Sequence, residues 1–190
     1  MGILGYGHVA FGVIALALGL VIFRITKGSQ LHRVLGYLYV AAMLGLNLTA
    51  LMIYRVFGTF GPFHVLALIS LAAVGAGLLP AYYKRPPGKW LRRHYEGIGW
   101  SYVGLLAATA AEIAVRLPFV QGVGLAFGIA TFVASVVVIF IGAFVLYRYR
   151  DQVVAGVQPP RAGPNKVLQP TGAAVSAPVE SKIHEGAPGG

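Results

Sequence analysis

Long apolar runs separated by short polar and basic segments dominate the sequence. A bilayer core requires about twenty apolar residues in helical form, because lipid offers no hydrogen-bond partner to a free backbone group. Five runs meet this requirement, and the predicted spans cover residues 6–24, 34–54, 64–83, 97–115 and 124–147. The pattern therefore predicts an all-α, polytopic membrane protein whose transmembrane helical domain occupies residues 1–150.

The apolar pattern ends after Arg150. Residues 151–190 contain stretches such as QPP, AGP and APGG and show no periodic apolar face. Such a segment cannot bury enough apolar surface to offset the loss of chain entropy on folding. We therefore predict a disordered tail over residues 151–190.

The composition supports a membrane location. Of the 190 residues, 57% are hydrophobic and 11% are charged, and the mean hydropathy is +0.76; a water-soluble core of this size cannot enclose so much apolar surface. The net charge of +10 comes from short clusters between apolar runs rather than from one stripe, so we expect the lipid bilayer and not nucleic acid as the partner. The chain has no cysteine, which excludes thiolate metal sites and cysteine nucleophiles.

The basic residues also predict the orientation of the chain. Cytoplasmic loops of membrane proteins carry an excess of Lys and Arg. Ten basic residues flank the first connection, the third connection and the start of the tail, namely Arg24, Lys27, Arg33, Lys84, Arg85, Lys89, Arg92, Arg93, Arg148 and Arg150. Only Arg55 and Arg116 lie on the other side. We expect a bacterial inner-membrane protein with its N-terminus outside and its tail in the cytoplasm.

Four of the five histidines stand at the starts of successive predicted helices, at His8, His32, His64 and His94. Successive helices alternate in direction, so His8 and His64 belong to the outer side and His32 and His94 to the inner side. In an up-and-down four-helix bundle, the first and third helices lie diagonally across the core, as do the second and fourth. A bundle of this kind, with the fifth helix added, has one facing histidine pair on each side.

Two imidazoles that converge from diagonal helices suit six-coordinate haem iron. Gly12 and Gly36 each lie one turn after a histidine and leave room for a flat ligand. Arg33 and Arg93 adjoin the inner histidines and could meet the haem propionates or an anionic reductant. These residues predict a b-type cytochrome-like oxidoreductase that holds two haem b groups in series. Such a protein passes electrons from a small-molecule donor to an acceptor.

The same residues also have a purely structural interpretation. Histidines at helix starts can serve as polar anchors at the membrane interface, and small residues are common wherever membrane helices pack. A non-catalytic transporter or assembly subunit is therefore a further possible class.

Glu112 is the acidic residue inside a predicted span. A carboxylate in lipid requires a partner, and Arg116 offers one because it lies four residues later on the same helix face. Alternatively, His8, His64 and Glu112 form a two-histidine, one-carboxylate site for zinc or non-haem iron, as in an intramembrane metal-dependent hydrolase.

Four segments carry a resemblance to known families. They are GHVAFGVIALALG from residue 7, LHRVLGYLYVAAM at 31–43, FGPFHVLALISL at 60–71 and RRHYEGIGWSYVGLLAATAAEIAVRLP at 92–118. Together they resemble the bacterial predicted membrane protein family called domain of unknown function 2306, which implies a membrane protein without an established activity.

The order of the four histidines also resembles the core of the cytochrome b561 family, whose members are transmembrane di-haem electron carriers. This resemblance implies that His8 with His64, and His32 with His94, match the two axial pairs of that family.

Overall fold

The computed structural model describes residues 2–54, 58–114, 116–117 and 124–157, and in these ranges it contains α-helices and no β-strand. The five helices are α1 (Ile3–Arg24), α2 (Gln30–Met52), α3 (Pro62–Tyr83), α4 (Trp90–Ala114) and α5 (Gly124–Val157). The predicted all-α fold is confirmed. Residues 158–190 of the predicted tail lie outside the described residues.

The first four helices form a closed ring. Helix α1 packs on α2, α2 on α3 and α3 on α4, and α4 returns to contact α1. This arrangement makes α2 and α4 one diagonal pair and α1 and α3 the other, as expected for an up-and-down bundle. Helix α5 packs against α4.

The two ends of the bundle differ in charge. The end formed by residues 25–29, residues 84–89 and the last turns of α5 carries most of the described Lys and Arg side chains, and we call it the basic end. The other end, formed by the start of α1 and by the connection between α2 and α3, is called the opposite end. The connection between α4 and α5 lies mainly outside the described residues.

Helices at the basic end extend beyond the predicted spans. Helix α2 begins at Gln30, where the Ser29 hydroxyl accepts a hydrogen bond from the backbone N–H of His32 at 3.1 Å. Helix α4 begins at Trp90, and α5 continues through residues 151–157, which were predicted to open the tail. The apolar runs mark the part of each helix that lipid can surround. The helices continue further, into the headgroup region. There, long basic side chains can keep their charged ends in polar surroundings while their apolar stems cover the helix.

The exterior of the bundle is apolar. On α5, for example, Phe132, Phe140 and Phe144 are 69%, 72% and 70% exposed. An apolar surface of this extent is typical of a membrane-facing protein. Among the described residues, four helices are long and apolar enough to cross a bilayer, namely α1, α2, α3 and α5.

Helix α4 is less apolar than the other four helices, but it is packed among them. It carries Arg92, Arg93 and Glu96 near its start and Glu112 near its end. It nevertheless lies between α3 and α5 and also contacts α1. Neighbouring helices, rather than lipid, therefore surround much of α4, and it tolerates a lower hydropathy than the other four.

Polar side chains inside the bundle are hydrogen bonded to other parts of the protein. The Tyr39 hydroxyl and the Ser101 Oγ lie 3.0 Å apart and join α2 to α4 across the core. The Tyr102 hydroxyl donates to the Leu16 carbonyl of α1 at 3.1 Å. Asn47 is 4% exposed and donates its amide both to a carbonyl of its own helix and, at 3.2 Å, to a serine hydroxyl of α3. Because lipid supplies no partner, such bonds help fix the position of each helix against its neighbours.

Helices α3 and α4 approach closely at Gly77 and Gly97. A Cβ atom added to Gly97 would lie 2.5 Å from the Gly77 Cα, and one added to Gly77 would lie 2.5 Å from the Ile98 backbone nitrogen. Small residues allow the backbones of membrane helices to come together in this way. Gly97 therefore serves helix packing, and it holds the preceding turn of α4 next to α3.

We expect Gly97→Ala to destabilise the protein by about 1–3 kcal/mol, because the new methyl group must displace the α3 backbone. Thermal unfolding of purified protein in detergent, followed by circular dichroism, measures the change. Gly104→Ala is the matched control on the same helix, since a Cβ there meets nothing within 4 Å. Equal stability of the two variants would contradict the role given to this contact.

Candidate functional site

His32 and His94 face each other at the basic end, across the diagonal from α2 to α4. Their ring centroids are 6.3 Å apart and their planes are inclined at 85°. Each ring belongs to the first two turns of its helix. The structure thus brings together the two residues that were predicted as the inner histidine pair.

The hydrogen bond of His94 defines which ring nitrogen carries the proton. Its Nδ1 lies 2.9 Å from the carbonyl oxygen of Gly77 on α3. A carbonyl only accepts hydrogen bonds, so Nδ1 donates, and Nε2 of the neutral ring keeps its lone pair. Metal-ligating histidines commonly donate their second nitrogen to a backbone carbonyl in this manner. His94 is therefore in the form that a metal ligand requires.

His32 has a buried ring nitrogen without a partner. Its Nδ1 is enclosed and makes no hydrogen bond with any described residue. Buried polar atoms are rarely left unpaired, because desolvation without a hydrogen bond costs about 1–3 kcal/mol. His32, whose ring faces His94, thus has a polar atom that no described residue satisfies.

The glycine that follows His32 by one turn is bordered by open space. Gly36 lies on the face of α2 that also carries the buried Tyr39 and Met43. A Cβ added to Gly36 would meet nothing within 4 Å. The predicted use of this space by a flat ligand stays a prediction. Gly12 differs, because a Cβ there would lie in ordinary contact with Leu46, at 3.5 Å.

The two arginines next to these histidines point elsewhere. Arg33 is exposed, and its Nη2 lies 3.5 Å from the carbonyl oxygen of Gly28. Arg93 is also exposed and lines a cleft together with Arg85. Within the described residues, neither guanidinium is hydrogen bonded to His32 or His94. Their predicted contact with a haem propionate stays a prediction.

A lysine closes the neighbouring end of α1. Lys27 Nζ donates to the carbonyl oxygens of Ile22, Phe23 and Ile25, at 2.7, 3.0 and 3.1 Å. A cation at a helix C-terminus satisfies carbonyls that lack an intrahelical partner. Partial burial lowers the pKa of Lys27 below its usual value. Lys27 therefore caps the end of α1, and these hydrogen bonds do not involve His32 or His94.

At the opposite end, His8 joins α1 to α2. Its Nδ1 lies 3.2 Å from the Leu46 carbonyl oxygen and 3.2 Å from the Thr49 Oγ1. The Thr49 hydroxyl donates to carbonyls of its own helix, so His8 Nδ1 is the donor to both atoms. His8 thus anchors one helix to another, as in the structural interpretation of the histidines.

His64 has a different environment. It is 2% exposed, and its Nδ1 accepts a hydrogen bond from the backbone N–H of Gly61 at 3.0 Å, at the start of α3. Its ring lies near the rings of Tyr54 and Phe60, at centroid distances of 4.6 and 4.9 Å. Because Nδ1 accepts, the proton of the neutral ring is on Nε2. That Nε2 is buried and has no partner among the described residues.

The outer pair is therefore unlike the inner pair. His64 Nε2 carries a proton and has no lone pair to give a metal, whereas Nδ1 is used at the helix start. No ring contact between His8 and His64 is present in the described residues. The sequence placed both pairs on equal terms, but the hydrogen bonds distinguish them.

Glu112 pairs with Arg116, as the spacing predicts. The two side chains form an ion pair one turn apart and are 55% and 56% exposed. Across the described ranges, no group of three or more His, Cys, Asp and Glu side chains is close enough to hold a metal ion. The structure thus does not bring His8, His64 and Glu112 together into the predicted zinc or iron site.

Two contacts of the histidines could not be predicted from the sequence. They are the hydrogen bond between His94 and the Gly77 carbonyl, and the proximity of the Tyr54 and Phe60 rings to His64. The cluster of small residues VGAG at 74–77 indicates a close helix contact. It does not indicate which helix makes that contact. The two aromatics give no comparable signal, because interfacial aromatics are common at membrane helix ends.

The fold is that of an integral membrane protein. It is a bundle of long helices with an apolar exterior, hydrogen-bonded polar side chains in its interior and basic residues concentrated at one end. The family model described as "Predicted membrane protein (DUF2306)" matches residues 5–151, and the chain belongs to that family. No curated protein and no solved structure matches the chain. The likeness to cytochrome b561 rests on the order of the histidines alone.

We expect His64→Ala to lower the stability of the protein by about 1–2 kcal/mol, because Gly61 loses its acceptor and the two aromatic rings lose their neighbour. His64→Gln should lose less, since a glutamine at this position can reach back to the same N–H. Thermal unfolding in detergent measures both variants. A His64→Ala protein as stable as the wild type would show that the cap contributes nothing.

Proposed function

We propose that the protein is a membrane electron carrier that binds one haem b between His32 and His94. The observation that carries this proposal is the facing pair of rings, with centroids 6.3 Å apart, at the basic end. Bonds of about 2 Å from each imidazole to a metal hold the two ligating nitrogens about 4 Å apart. The spacing of the rings is compatible with one metal atom between them. An edge-to-face ring contact has a similar spacing, so the test must detect the cofactor itself.

The chemistry of the donors supports haem. Two neutral imidazoles are an established axial ligand set for haem iron. His94 has its Nε2 lone pair available because Nδ1 donates to Gly77, and His32 offers a buried nitrogen without a partner. One turn after His32, a Cβ added to Gly36 would meet nothing within 4 Å, which leaves space on that helix for a flat ligand. These residues would hold the group, and the bound haem would supply one-electron transfer.

The same donors suit a hydrolytic metal less well. Catalytic zinc takes three protein ligands and a water molecule. Near His94, the carboxylate of Glu96 is already paired with Arg92 and Arg150. Two histidines with no free carboxylate beside them in the described residues would suit haem iron better than a tetrahedral zinc site.

The proposal assigns one haem rather than the two predicted from the sequence. His64 would have to give up its bond to Gly61 and shift its proton before its Nε2 could bind iron. His8 already holds α2 through Leu46 and Thr49. The outer histidines are therefore assigned to helix anchoring and capping.

The absorption spectrum of protein expressed with an ample haem supply tests this assignment. We expect a Soret band that is lost on replacement of either inner histidine, His32→Gln or His94→Gln, because each would remove one of the two residues that would hold the haem. His8→Gln and His64→Gln are the matched controls and should keep the full haem content.

Size-exclusion chromatography of each variant shows that the fold is retained. A wild-type protein without a Soret band contradicts the proposal, as does a band that survives both inner replacements. Loss of half of the haem in the outer variants would instead support two sites.

We also propose that the basic end faces the cytoplasm of a bacterial inner membrane, which places the N-terminus outside. The excess of Lys and Arg at this end is the reason.

Epitope tags at residues 1 and 190 test the orientation. We expect a tag at residue 1 to be labelled in cells with a permeabilised outer membrane, and a tag at residue 190 to be labelled only after lysis. The reverse pattern would refute this orientation but would leave the haem proposal intact.

A further inference from the structure

A cleft opens at the basic end beside α3 and the start of α4. It has a volume of about 430 Å³ and is lined by Leu79, Pro80, Tyr83, Arg85 and Arg93. Arg85 belongs to the connection after α3, and Arg93 belongs to the first turn of α4. The cleft therefore combines two guanidinium groups with the apolar end of a membrane-spanning helix.

We propose that this cleft binds an anionic glycerophospholipid through its phosphate. Arginine side chains recognise phosphate with several parallel N–H donors, and two of them in one cleft offer a doubly charged site.

The two cleft arginines lack a counter-charge. Arg85 and Arg93 are exposed, and within the described residues neither forms an ion pair. The carboxylates described at this end are engaged elsewhere, because Glu96 pairs with Arg92 and Arg150, at 2.9 and 3.4 Å. Asp151 also pairs with Arg150, at 2.9 Å. The positive charge of the cleft is therefore free to take an external anion.

The apolar wall favours a lipid over a soluble anion. Leu79 and Pro80 belong to the last part of the candidate span Phe63–Tyr83, and Leu79 is 53% exposed. The cleft thus continues from the charged connection onto the lipid-facing surface of α3. A phosphate with attached acyl chains matches both regions, whereas inorganic phosphate would use only the first.

Aromatic residues mark the depth of this cleft. Tyr83 is 63% exposed, and the Lys84 ammonium lies 4.0 Å from the centroid of the Trp90 ring. Tyrosine and tryptophan are enriched at the headgroup level of a bilayer. Basic pockets at this level, between membrane helices, are suited to anionic headgroups.

The cleft is separate from the histidine pair. Neither His32 nor His94 lines it, so the lipid proposal does not depend on haem binding. Arg93, which was predicted to contact a haem propionate, is assigned instead to the lipid phosphate.

Native mass spectrometry of the full chain tests the proposal. The protein is purified in neutral detergent, phosphatidylglycerol or phosphatidylcholine is added at matched ratios, and the retained lipid is counted. We expect retention of phosphatidylglycerol over phosphatidylcholine. The double variant Arg85→Gln/Arg93→Gln should bind phosphatidylglycerol roughly twenty-five-fold more weakly, because the loss of each direct arginine–phosphate contact in the cleft weakens binding roughly fivefold.

The matched control is Arg24→Gln/Arg148→Gln, which removes the same charge from exposed arginines of the basic end that do not line the cleft. It should retain phosphatidylglycerol as the wild type does. Arg85→Lys/Arg93→Lys keeps the charge without the arginine fork and should bind with intermediate strength. This variant keeps the test decisive if the glutamine variant fails to fold.

Further arms distinguish the source of the phosphate. Inorganic phosphate and glycerophosphoglycerol, added in excess, should displace little phosphatidylglycerol, because they lack acyl chains. Complete displacement by either would overturn the lipid assignment in favour of a soluble phosphate. Equal retention of phosphatidylcholine, or equal loss in the control variant, would overturn the cleft as a specific site.

Discussion

The structure depends on one constraint, which is that a bilayer offers no hydrogen-bond partner to a polar group inside the bundle. Interior side chains meet this constraint by bonding to their own helix or across helices, as Tyr39 does with Ser101 and Tyr102 with the α1 backbone. Two buried side-chain nitrogens in the described residues do not, and both belong to histidines, at His32 Nδ1 and His64 Nε2. Helix packing alone does not explain these two exceptions. They indicate a role for the histidines more strongly than the positions of the histidines in the sequence do.

The two exceptions have different neighbours. The ring of His32 faces the ring of His94, whose proton is held on Nδ1 by the Gly77 carbonyl, so His94 Nε2 keeps its lone pair. His64 accepts a bond from Gly61, and its unpaired atom is therefore a donor. A donor suits a carbonyl or a water molecule, whereas a lone pair suits a metal. The protonation that each backbone partner imposes thus separates two histidine pairs that look equivalent in the sequence.

Helix packing and the candidate site are parts of the same arrangement. The close approach of Gly77 and Gly97 brings the α3 backbone against α4 one turn from His94, and this approach delivers the Gly77 carbonyl to the imidazole. Helix α4 can carry the charges of RRHYE because α3, α1 and α5 surround it. The least apolar helix of the bundle therefore contributes His94 to the histidine pair and Arg93 to the lipid cleft, next to each other in sequence but directed to different places.

The sequence by itself determined the helical class, the approximate positions of the helices and the concentration of basic charge at one end, because bilayer thickness and the cost of burying charge act on local runs of residues. It also determined that four histidines stand near helix ends and that Glu112 has Arg116 on its own helix face. Only the tertiary structure decided that His32 and His94 meet while Glu112 stays apart from His8 and His64. The structure also decided that the rings of Tyr54 and Phe60 lie near His64 and that Arg85 and Arg93 line one cleft. Each of these features joins residues from different segments, and a periodic pattern cannot report such a distance, because it depends on how closely the helices approach and on how far each is rotated.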